Sequence, residues 1–304
     1  MKITLNQPYS FCQLGRRDNQ EDARFPDVDE PQDSQPFFVV CDGVGGEEKG
    51  EVASRTVCDA FACSLAHTDW DRDFSNEDFK RCLNAAYLAL DKENSPESEG
   101  MATTMTFMAF HAGGCTVAHI GDSRVYHVRP GSGILYRSDD HSLVNALVHS
   151  GAITPDEAVG HSRENVITRC MEADAGKGER SEATVLRITD ICCGDYFVLC
   201  TDGVTHRVPD DILVKLLGAS GVSDKDKCRM LASQCETSAD NNTLYMVSVK
   251  DVETDESQEG MEVDNSDELE TARIRRAGDI ASEIAADKRT SIMDKMRNLM
   301  EKIF

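Results

Sequence analysis

The sequence lacks any apolar run of membrane-spanning length. No stretch approaches the roughly 18 apolar residues that a transmembrane helix needs, and residues 1–23 contain no apolar core of signal-peptide length. The 12 cysteines include no Cys-x-x-Cys pair, which excludes a zinc ribbon. We therefore expect no transmembrane segment, free thiols, and a reducing, cytoplasmic location.

Basic residues are scarce relative to acidic ones. The 304 residues include 32 Lys and Arg but 55 Asp and Glu, which gives a formal net charge of −23. A surface this negative repels nucleic-acid backbones and anionic lipid headgroups, so we expect no nucleic-acid partner. An excess of carboxylates is what a protein needs if it binds hard cations.

The composition divides the chain into three segments. Residues 1–250 have the mixed composition of one folded domain and are numerous enough to bury a substantial core. Residues 251–268 are densely acidic and contain no aromatic residue, which is typical of a linker. Residues 269–304 form the third segment, in which the pattern becomes helical.

The third segment is predicted to be an amphipathic helical tail. Ile292, Met296, Leu299 and Ile303 recur at steps that place them on one helix face. Such a tail packs on the domain, stays solvated, associates weakly with a membrane, or binds a protein partner or a second copy of the chain. The pattern leaves these alternatives open.

The first segment alternates between strand and helix patterns. Strands are predicted at 37–41, 103–110, 115–120, 125–128, 134–136, 196–200 and 244–249. Helices are predicted at 51–66, 77–91, 143–150, 211–217 and 225–235. Turn residues join several neighbouring strands into hairpins, which favours antiparallel sheets with helices outside them, an α+β fold.

Carboxylates recur where apolar strands end. Three predicted strands lead directly to Asp42-Gly43, Gly121-Asp122 and Asp202-Gly203, while Asp240 precedes another and Glu21-Asp22 lies near the N-terminus. If these strand ends converge, the carboxylates repel one another unless cations neutralise them. Oxygen ligands without His or Cys suit Mg²⁺ or Mn²⁺. A single Asp-Gly is ordinary turn chemistry, so the pattern alone leaves both readings open.

At these same residues the sequence resembles the metal-dependent serine/threonine protein phosphatases of type 2C. The resemblance covers about residues 10–250, and its motifs occur in the family's order. They are Gly15-Arg16-Arg17-Asp18-Asn19-Gln20-Glu21-Asp22, Asp42-Gly43-Val44-Gly45-Gly46, Ala102-Thr103-Thr104, Gly121-Asp122-Ser123-Arg124, Asp140-His141-Ser142, Val166-Ile167-Thr168-Arg169, Cys200-Thr201-Asp202-Gly203 and Asp240-Asn241. Residues 143–163 are similar to the mobile flap of bacterial-type members.

The resemblance implies an antiparallel β-sandwich flanked by α-helices on both faces, with two metal ions, or three, at one edge. The implied metal ligands are Asp22, Asp42, the carbonyl of Gly43, Asp122, Asp202 and Asp240. Asp42 would bridge two ions, and Asp122 with Asp202 would form a weaker third site. The implied cofactor is Mg²⁺ or Mn²⁺.

The resemblance also implies the catalytic residues, which are Arg17, Glu21, Asp22, Asp42 and Asp202. Arg17 would bind the substrate phosphate through its guanidinium, and Glu21 and Asp22 would orient water. Arg16 is interpreted as a surface charge. Thr103 and Thr104 are expected to support the site through hydrogen bonds, and His141 is expected to be structural.

We therefore expect a protein serine/threonine phosphatase that acts on phosphoprotein substrates. The alternative is a pseudophosphatase, a binding module that keeps the fold without catalysis and engages a partner through the tail. Retention of every metal carboxylate argues against that alternative. One departure from the common motif is Val44, since many members carry at this place a His that can protonate the leaving alkoxide.

Overall fold

The structure is a computed structural model that describes residues 1–44, 49–93, 101–173 and 180–254. Most of the predicted acidic linker, from residue 255 onward, and the predicted helical tail over 269–304 lie outside the described residues. Within these ranges no helix combines the length and apolarity needed to cross a membrane, and the cysteines are free thiols.

The chain forms short strands and a smaller number of helices. The strands are β1 (Lys2–Leu5), β2 (Tyr9–Gln13), β3 (Asp22–Phe25), β4 (Phe37–Asp42), β5 (Ala102–Thr103), β6 (Met105–His111), β7 (Gly114–Ile120), β8 (Arg124–Arg129), β9 (Gly133–Arg137), β10 (Met171–Glu172), β11 (Thr184–Ile188), β12 (Tyr196–Cys200) and β13 (Asn242–Glu253). The helices are α1 (Gly50–Leu65), α2 (Asn76–Glu93), α3 (Leu143–His149), α4 (Pro155–Ala158), α5 (Asp202–Thr205), α6 (Asp210–Leu217) and α7 (Asp224–Cys235).

The longer strands form two antiparallel sheets. The first has the order β1-β13-β12-β8-β9, with β2 also paired to β13, and the second has the order β11-β7-β6-β4-β3. The short strands β5 and β10 form a separate pair. The connection from β7 to β8 carries the chain from the second sheet to the first, and it contains Asp122.

Side-chain alternation along the strands builds the layers. In β4, Phe38 and Val40 face a cluster shared by both sheets, whereas Val39 and Cys41 face the helices α1 and α2. Neighbouring residues of a strand point to opposite faces, so each strand of this kind contributes to two cores. Because both faces are buried, β4 is an uninterrupted apolar run in the sequence.

Helices cover the outer face of each sheet. Apolar side chains of α1 and α2, among them Val57, Phe61 and Leu90, pack on the second sheet. Leu213 and Leu217 of α6 and Leu231 of α7 pack on the first. The prediction of an antiparallel β-sandwich flanked by α-helices on both faces is confirmed.

The strand β13 pairs with three other strands of the first sheet. Its first half pairs with β2, its second half pairs with β1, and its other edge pairs with β12. Pairing of Lys2 with Glu253 continues the strand three residues past the boundary predicted at 250, because β1 supplies hydrogen-bond partners that composition does not reveal. The strands β1, β2, β3, β10 and β11 and the short helices α4 and α5 were not predicted.

An aromatic cluster under α1 and α2 should be a principal source of stability. Phe107 is fully buried, and its ring centroid lies 5.4 Å from Phe61 and 5.4 Å from Phe79. We expect Phe107→Ala to lower the free energy of unfolding in urea by roughly 3–5 kcal/mol through cavity formation. Leu88→Ala, at a side chain that is 55% exposed on α2, is the control. Equal destabilisation by the two variants would contradict this role.

Candidate metal and phosphate site

Two of the predicted carboxylates face each other across one strand pair. Asp22 at the start of β3 lies directly opposite Asp42 at the end of β4. Residues opposite each other in an antiparallel pair project from the same face, which brings two negative charges close together. Asp22 is buried, and its Oδ2 accepts a hydrogen bond of 3.0 Å from the hydroxyl of Thr201.

The first sheet supplies two more carboxylates. Asp202 begins α5, two residues after the end of β12, and Asp240 lies two residues before β13. Because β12 and β13 are neighbouring antiparallel strands, the end of one and the start of the other meet at the same edge of the sheet. Asp122, in the β7–β8 connection, is the fifth member of the group.

A cavity of about 870 Å³ opens at this edge of the sandwich. Predicted site residues that line it are Arg17, Asp42, Gly43, Asp122, Asp202 and Asp240. Glu21 and Asp22 are not among its lining residues: Asp22 is buried, and the amide of Glu21 donates to Asn241 Oδ1 at 2.8 Å. The structure thus brings together most of the predicted set.

Two carboxylate oxygens of this group lack partners. Asp22 Oδ1 and Asp202 Oδ1 are buried and accept no hydrogen bond from the residues that the structure describes. A buried charged oxygen without a partner costs several kcal/mol, which a cation offsets. The residues present therefore fit a divalent ion.

Burial and mutual repulsion raise the pKa values of the carboxylates in this group. Burial and the charges of Asp202 and Asp240 raise the pKa of Asp22 to about 7. Burial and the charge of Asp202 likewise raise the pKa of Asp122 to about 7. Burial and the charges of Asp22 and Asp202 raise the pKa of Asp42 well above its ordinary value. Without a counter-charge, the group is unstable in its fully ionised form.

Across the described ranges, no three His, Cys, Asp or Glu side chains are close enough to hold one ion by themselves. This agrees with the chemistry of Mg²⁺, which usually takes one or two carboxylates and completes its shell with waters. A backbone carbonyl is a further oxygen ligand of the same hard type. The donor set is all oxygen, as Mg²⁺ and Mn²⁺ prefer.

Gly43 is held where no side chain fits. A Cβ on this residue would lie 2.5 Å from the carbonyl oxygen of Gly50 and 2.8 Å from that of Glu21. Its amide donates to Glu21 O at 3.0 Å. This close approach fixes the peptide that follows Asp42 and leaves α1 starting directly behind the site.

The threonines after residue 102 support Asp42, as predicted. The hydroxyl of Thr103 and the amide of Thr104 each donate to Asp42 O at 2.8 Å. The amide of Asp42 donates to Thr104 Oγ1 at 3.1 Å. Asp42 is therefore fixed through its backbone, which leaves its carboxylate available.

Arg17 enters the cavity paired with a predicted metal ligand. Its Nη2 lies 2.7 Å from Asp240 Oδ2, and the side chain is 46% exposed. Arg16 lines the same cavity and is exposed, which is compatible with its interpretation as a surface charge. The patterns at the strand ends could not place Arg16 in the cavity, because the position of its loop depends on contacts with residues distant in sequence, such as Ser238.

A buried asparagine, Asn241, holds this loop, and the motif Asp240-Asn241 had given it no predicted role. Asn241 Nδ2 donates to the carbonyls of Leu14 and Asn19 at 2.8 and 3.0 Å, and its Oδ1 accepts from Glu21. The loop carrying Arg17 is thereby tied to Asp240. The available signal was its place in the motif Asp240-Asn241, next to a predicted ligand.

His141 is structural, as predicted. Its Nδ1 accepts from the Gly121 amide at 3.1 Å, and its ring stacks on His119 at 4.4 Å. Burial lowers the pKa of His141 to about 4, so the imidazole is neutral. The histidine holds the turn that presents Asp122.

The sequence model of the family described as Protein phosphatase 2C matches residues 16–242.

The chain belongs to the protein phosphatase 2C family.

One relative within this family is the serine/threonine protein phosphatase PstP of Mycobacterium tuberculosis. It is 32% identical over 228 residues, which are 73% of this chain and 42% of that relative. The chain therefore spans less than half the length of this relative.

Solved phosphatase structures share the fold. Serine/threonine phosphatase Stp1 from Staphylococcus aureus superposes with a TM-score of 0.67 and 29% identity, over 84% of this chain and 98% of that one. The catalytic domain of a serine/threonine protein phosphatase named PstP, in complex with two manganese ions, superposes with a TM-score of 0.63 and 27% identity, over 82% of this chain and all of that one.

Metal-free protein should lose stability as the pH rises. Native Asp22 and Asp122 have pKa values near 7, whereas an unfolded Asp titrates near 3.8, so the native state binds more protons between these values. Stability then falls with pH across that window. We expect the melting temperature without metal to be about 5 °C or more lower at pH 8 than at pH 5.

Mn²⁺ should reverse this loss, raising the melting temperature more at pH 8 than at pH 5. Asp22→Asn tests whether this site, and not the protein's other titrating groups, causes the effect. The melting temperature of this variant should depend less on pH and should rise less with Mn²⁺. An unchanged pH dependence in Asp22→Asn, with the full Mn²⁺ response, would refute the assignment.

Proposed function

We propose that the protein is a metal-dependent protein serine/threonine phosphatase that hydrolyses phosphoserine and phosphothreonine in phosphoprotein substrates. The observation that carries this proposal is the group of five carboxylates from both sheets, four of which line one cavity while the fifth, Asp22, is buried opposite Asp42. Two buried oxygens in that group have no partner in the described residues. Membership of the protein phosphatase 2C family supports the same activity.

The proposed ligands for two ions of Mg²⁺ or Mn²⁺, or three, come from both halves of the sandwich. They are Asp22, Asp42, the carbonyl of Gly43, Asp122, Asp202 and Asp240. Asp42 has neighbours on both sides, since Asp22 faces it within the second sheet and the charges of Asp202 and Asp122 reach it from beyond that sheet. It is the residue best placed to be shared between ions.

When bound, such ions supply a water of lowered pKa and neutralise charge on the phosphoryl group. The chain's own residues bind and orient the substrate. Arg17 is proposed to bind the phosphate, because a guanidinium presents paired donors that match phosphate oxygens. Its ion pair with Asp240 places those donors at the edge of the carboxylate group.

Glu21 is proposed to orient water at the site; its side chain is half-buried, and burial raises its pKa. The Asn241 bond to its amide fixes that position.

The pseudophosphatase alternative has no support in the site, because all five carboxylates are retained and grouped. Engagement of a partner, or of a second copy, by the predicted helix over 269–304 stays a prediction. Those residues lie outside the part of the chain that the structure describes.

The direct test is hydrolysis of a phosphothreonine peptide with Mn²⁺. We expect activity with Mn²⁺, loss of activity in EDTA, and a decrease of several orders of magnitude in Asp202→Asn, because this change removes a metal ligand. Asp33→Asn, at an exposed carboxylate between β3 and β4, is the matched control.

A folding defect is separable from loss of catalysis in Asp202→Asn. Removal of one repelling buried charge should leave the metal-free melting temperature equal to or above that of the wild type. Near-normal turnover in Asp202→Asn, or full activity after exhaustive chelation, would overturn the proposal.

Val44 makes a second test of the chemistry. It lines the cavity and cannot donate a proton, whereas a serine or threonine alkoxide leaves poorly without one. A positioned general acid typically contributes about 10²–10⁴-fold to such a step. We therefore expect Val44→His to raise turnover of a phosphothreonine peptide more than that of a nitrophenyl phosphate, whose leaving group needs no proton.

Val44→Ile is the control for side-chain shape, and it should leave the ratio of peptide turnover to nitrophenyl phosphate turnover unchanged. An equal effect of Val44→His on both substrates would mean that the proton reaches the leaving group by another route.

A further inference from the structure

The arginines of the described residues differ in their partners. Most of them form an ion pair with an Asp: Arg17, Arg24, Arg55, Arg72, Arg81, Arg124, Arg129, Arg137, Arg180, Arg187 and Arg229. Four have no carboxylate partner within the described ranges: Arg16, Arg163, Arg169 and Arg207. Two of these four, Arg16 and Arg207, line the cavity. The chain has 55 acidic residues that could pair with arginines, yet these two arginines of the cavity have no carboxylate partner within the described ranges.

Arg207 is positioned by neutral groups. Its Nε donates to the Gln234 carbonyl at 3.3 Å, and its Nη2 donates to Thr237 Oγ1 at 3.2 Å. These bonds restrict the guanidinium without cancelling its charge. The side chain is exposed, so its remaining N–H donors are accessible to a ligand in the cavity.

Arg16 contacts the turn at residues 237–240, which also includes the Thr237 that binds Arg207. Its amide donates to the Ser238 carbonyl at 3.0 Å, next to the residue that holds Arg207. A Cβ on the preceding Gly15 would lie 2.2 Å from Asp240 O, so the loop is pressed against that turn. Arg16 and Arg207 therefore flank residues 237–240, and we name this part of the cavity the cationic wall.

The acidic side chains of the cavity leave the cationic wall uncompensated. Asp42, Asp122 and Asp202 belong to the carboxylate group, and Asp240 is paired with Arg17. Glu164 also lines the cavity, but its carboxylate accepts a hydrogen bond from the Gly160 amide at 2.9 Å. The two unpaired guanidinium groups remain available to a substrate.

We infer that the cationic wall binds carboxylates that flank the phosphorylated residue, which makes acidic phosphopeptides the preferred substrates. This inference rests on the proposed function. A guanidinium binds a carboxylate through paired, charge-assisted hydrogen bonds. The chain's overall charge of −23 does not prevent this, because at physiological salt charges beyond about 8 Å are largely screened.

The test compares two phosphothreonine peptides that differ only in Asp or Asn at the flanking positions. With Mn²⁺, the wild type should have a kcat/KM about three- to tenfold higher for the Asp peptide, as expected for two exposed ion pairs. Arg16→Gln and Arg207→Gln should each reduce this ratio, and the double variant should bring it close to one. Arg207→Glu should favour the Asn peptide.

The matched control is Arg229→Gln, which removes one exposed arginine on α7 outside the cavity and should leave the ratio unchanged. Arg16→Gln removes no side-chain hydrogen bond to the described residues, so it decides the question even if Arg207→Gln misfolds. Equal wild-type rates for the two peptides would overturn the inference, as would an unchanged ratio in both arginine variants.

Failure of the proposed function gives a different result, since neither peptide would then be hydrolysed. In that case the affinities of the same two peptides, measured by fluorescence anisotropy with the same variants, decide the inference by themselves. Weaker binding of the Asp peptide to Arg16→Gln, without a change for the Asn peptide, supports it. Identical affinities refute it.

Discussion

Mutual repulsion among buried carboxylates is the constraint on which this structure depends. Asp22 and Asp42 lie opposite each other in one sheet, and Asp202 adds its charge from the other. The surrounding backbone must hold these groups together against that repulsion. It does so through short-range bonds such as those of Thr103 to Asp42, and through a glycine at position 43 that allows α1 to approach closely. The same repulsion makes a divalent cation the natural completion of the site.

Much of the fold was predictable because the central strands are buried on both faces. Residues 37–41 and 196–200 form continuous apolar runs with an aspartate one or two residues after their end, and the structure confirms both strands. The edge strand β3 was missed because Asp22-Ala-Arg-Phe is only four residues long and its alternating pattern contains a single large apolar side chain. Its Arg24 is buried only because Ser10 and Asp29 accept its hydrogen bonds, and those partners come from other parts of the fold.

The candidate site was predictable at its strand ends and not in its loops. Asp42, Asp122 and Asp202 follow apolar runs, so local sequence located them. The positions of Arg16 and Arg207 depend instead on the turn at residues 237–240, which lies far from Arg16 in sequence. Asn241 ties that turn to the loop after β2 through three hydrogen bonds, two of them to carbonyls more than 200 residues away. No local pattern contains such distances.

The position of β13 in the sequence also determines when the first sheet can form during synthesis. The N-terminal strands β1 and β2 pair with this strand, and Asp240 lies two residues before it. A nascent chain that ends before residue 240 therefore has the first strands of its sheet without their partner and the cavity without one wall. Long-range pairing of this kind is slow to form, because the intervening chain must be closed into a loop first. The carboxylate group can therefore assemble only after residues 240–253 have been synthesised, because they supply Asp240 and the strand that pairs with β1 and β2.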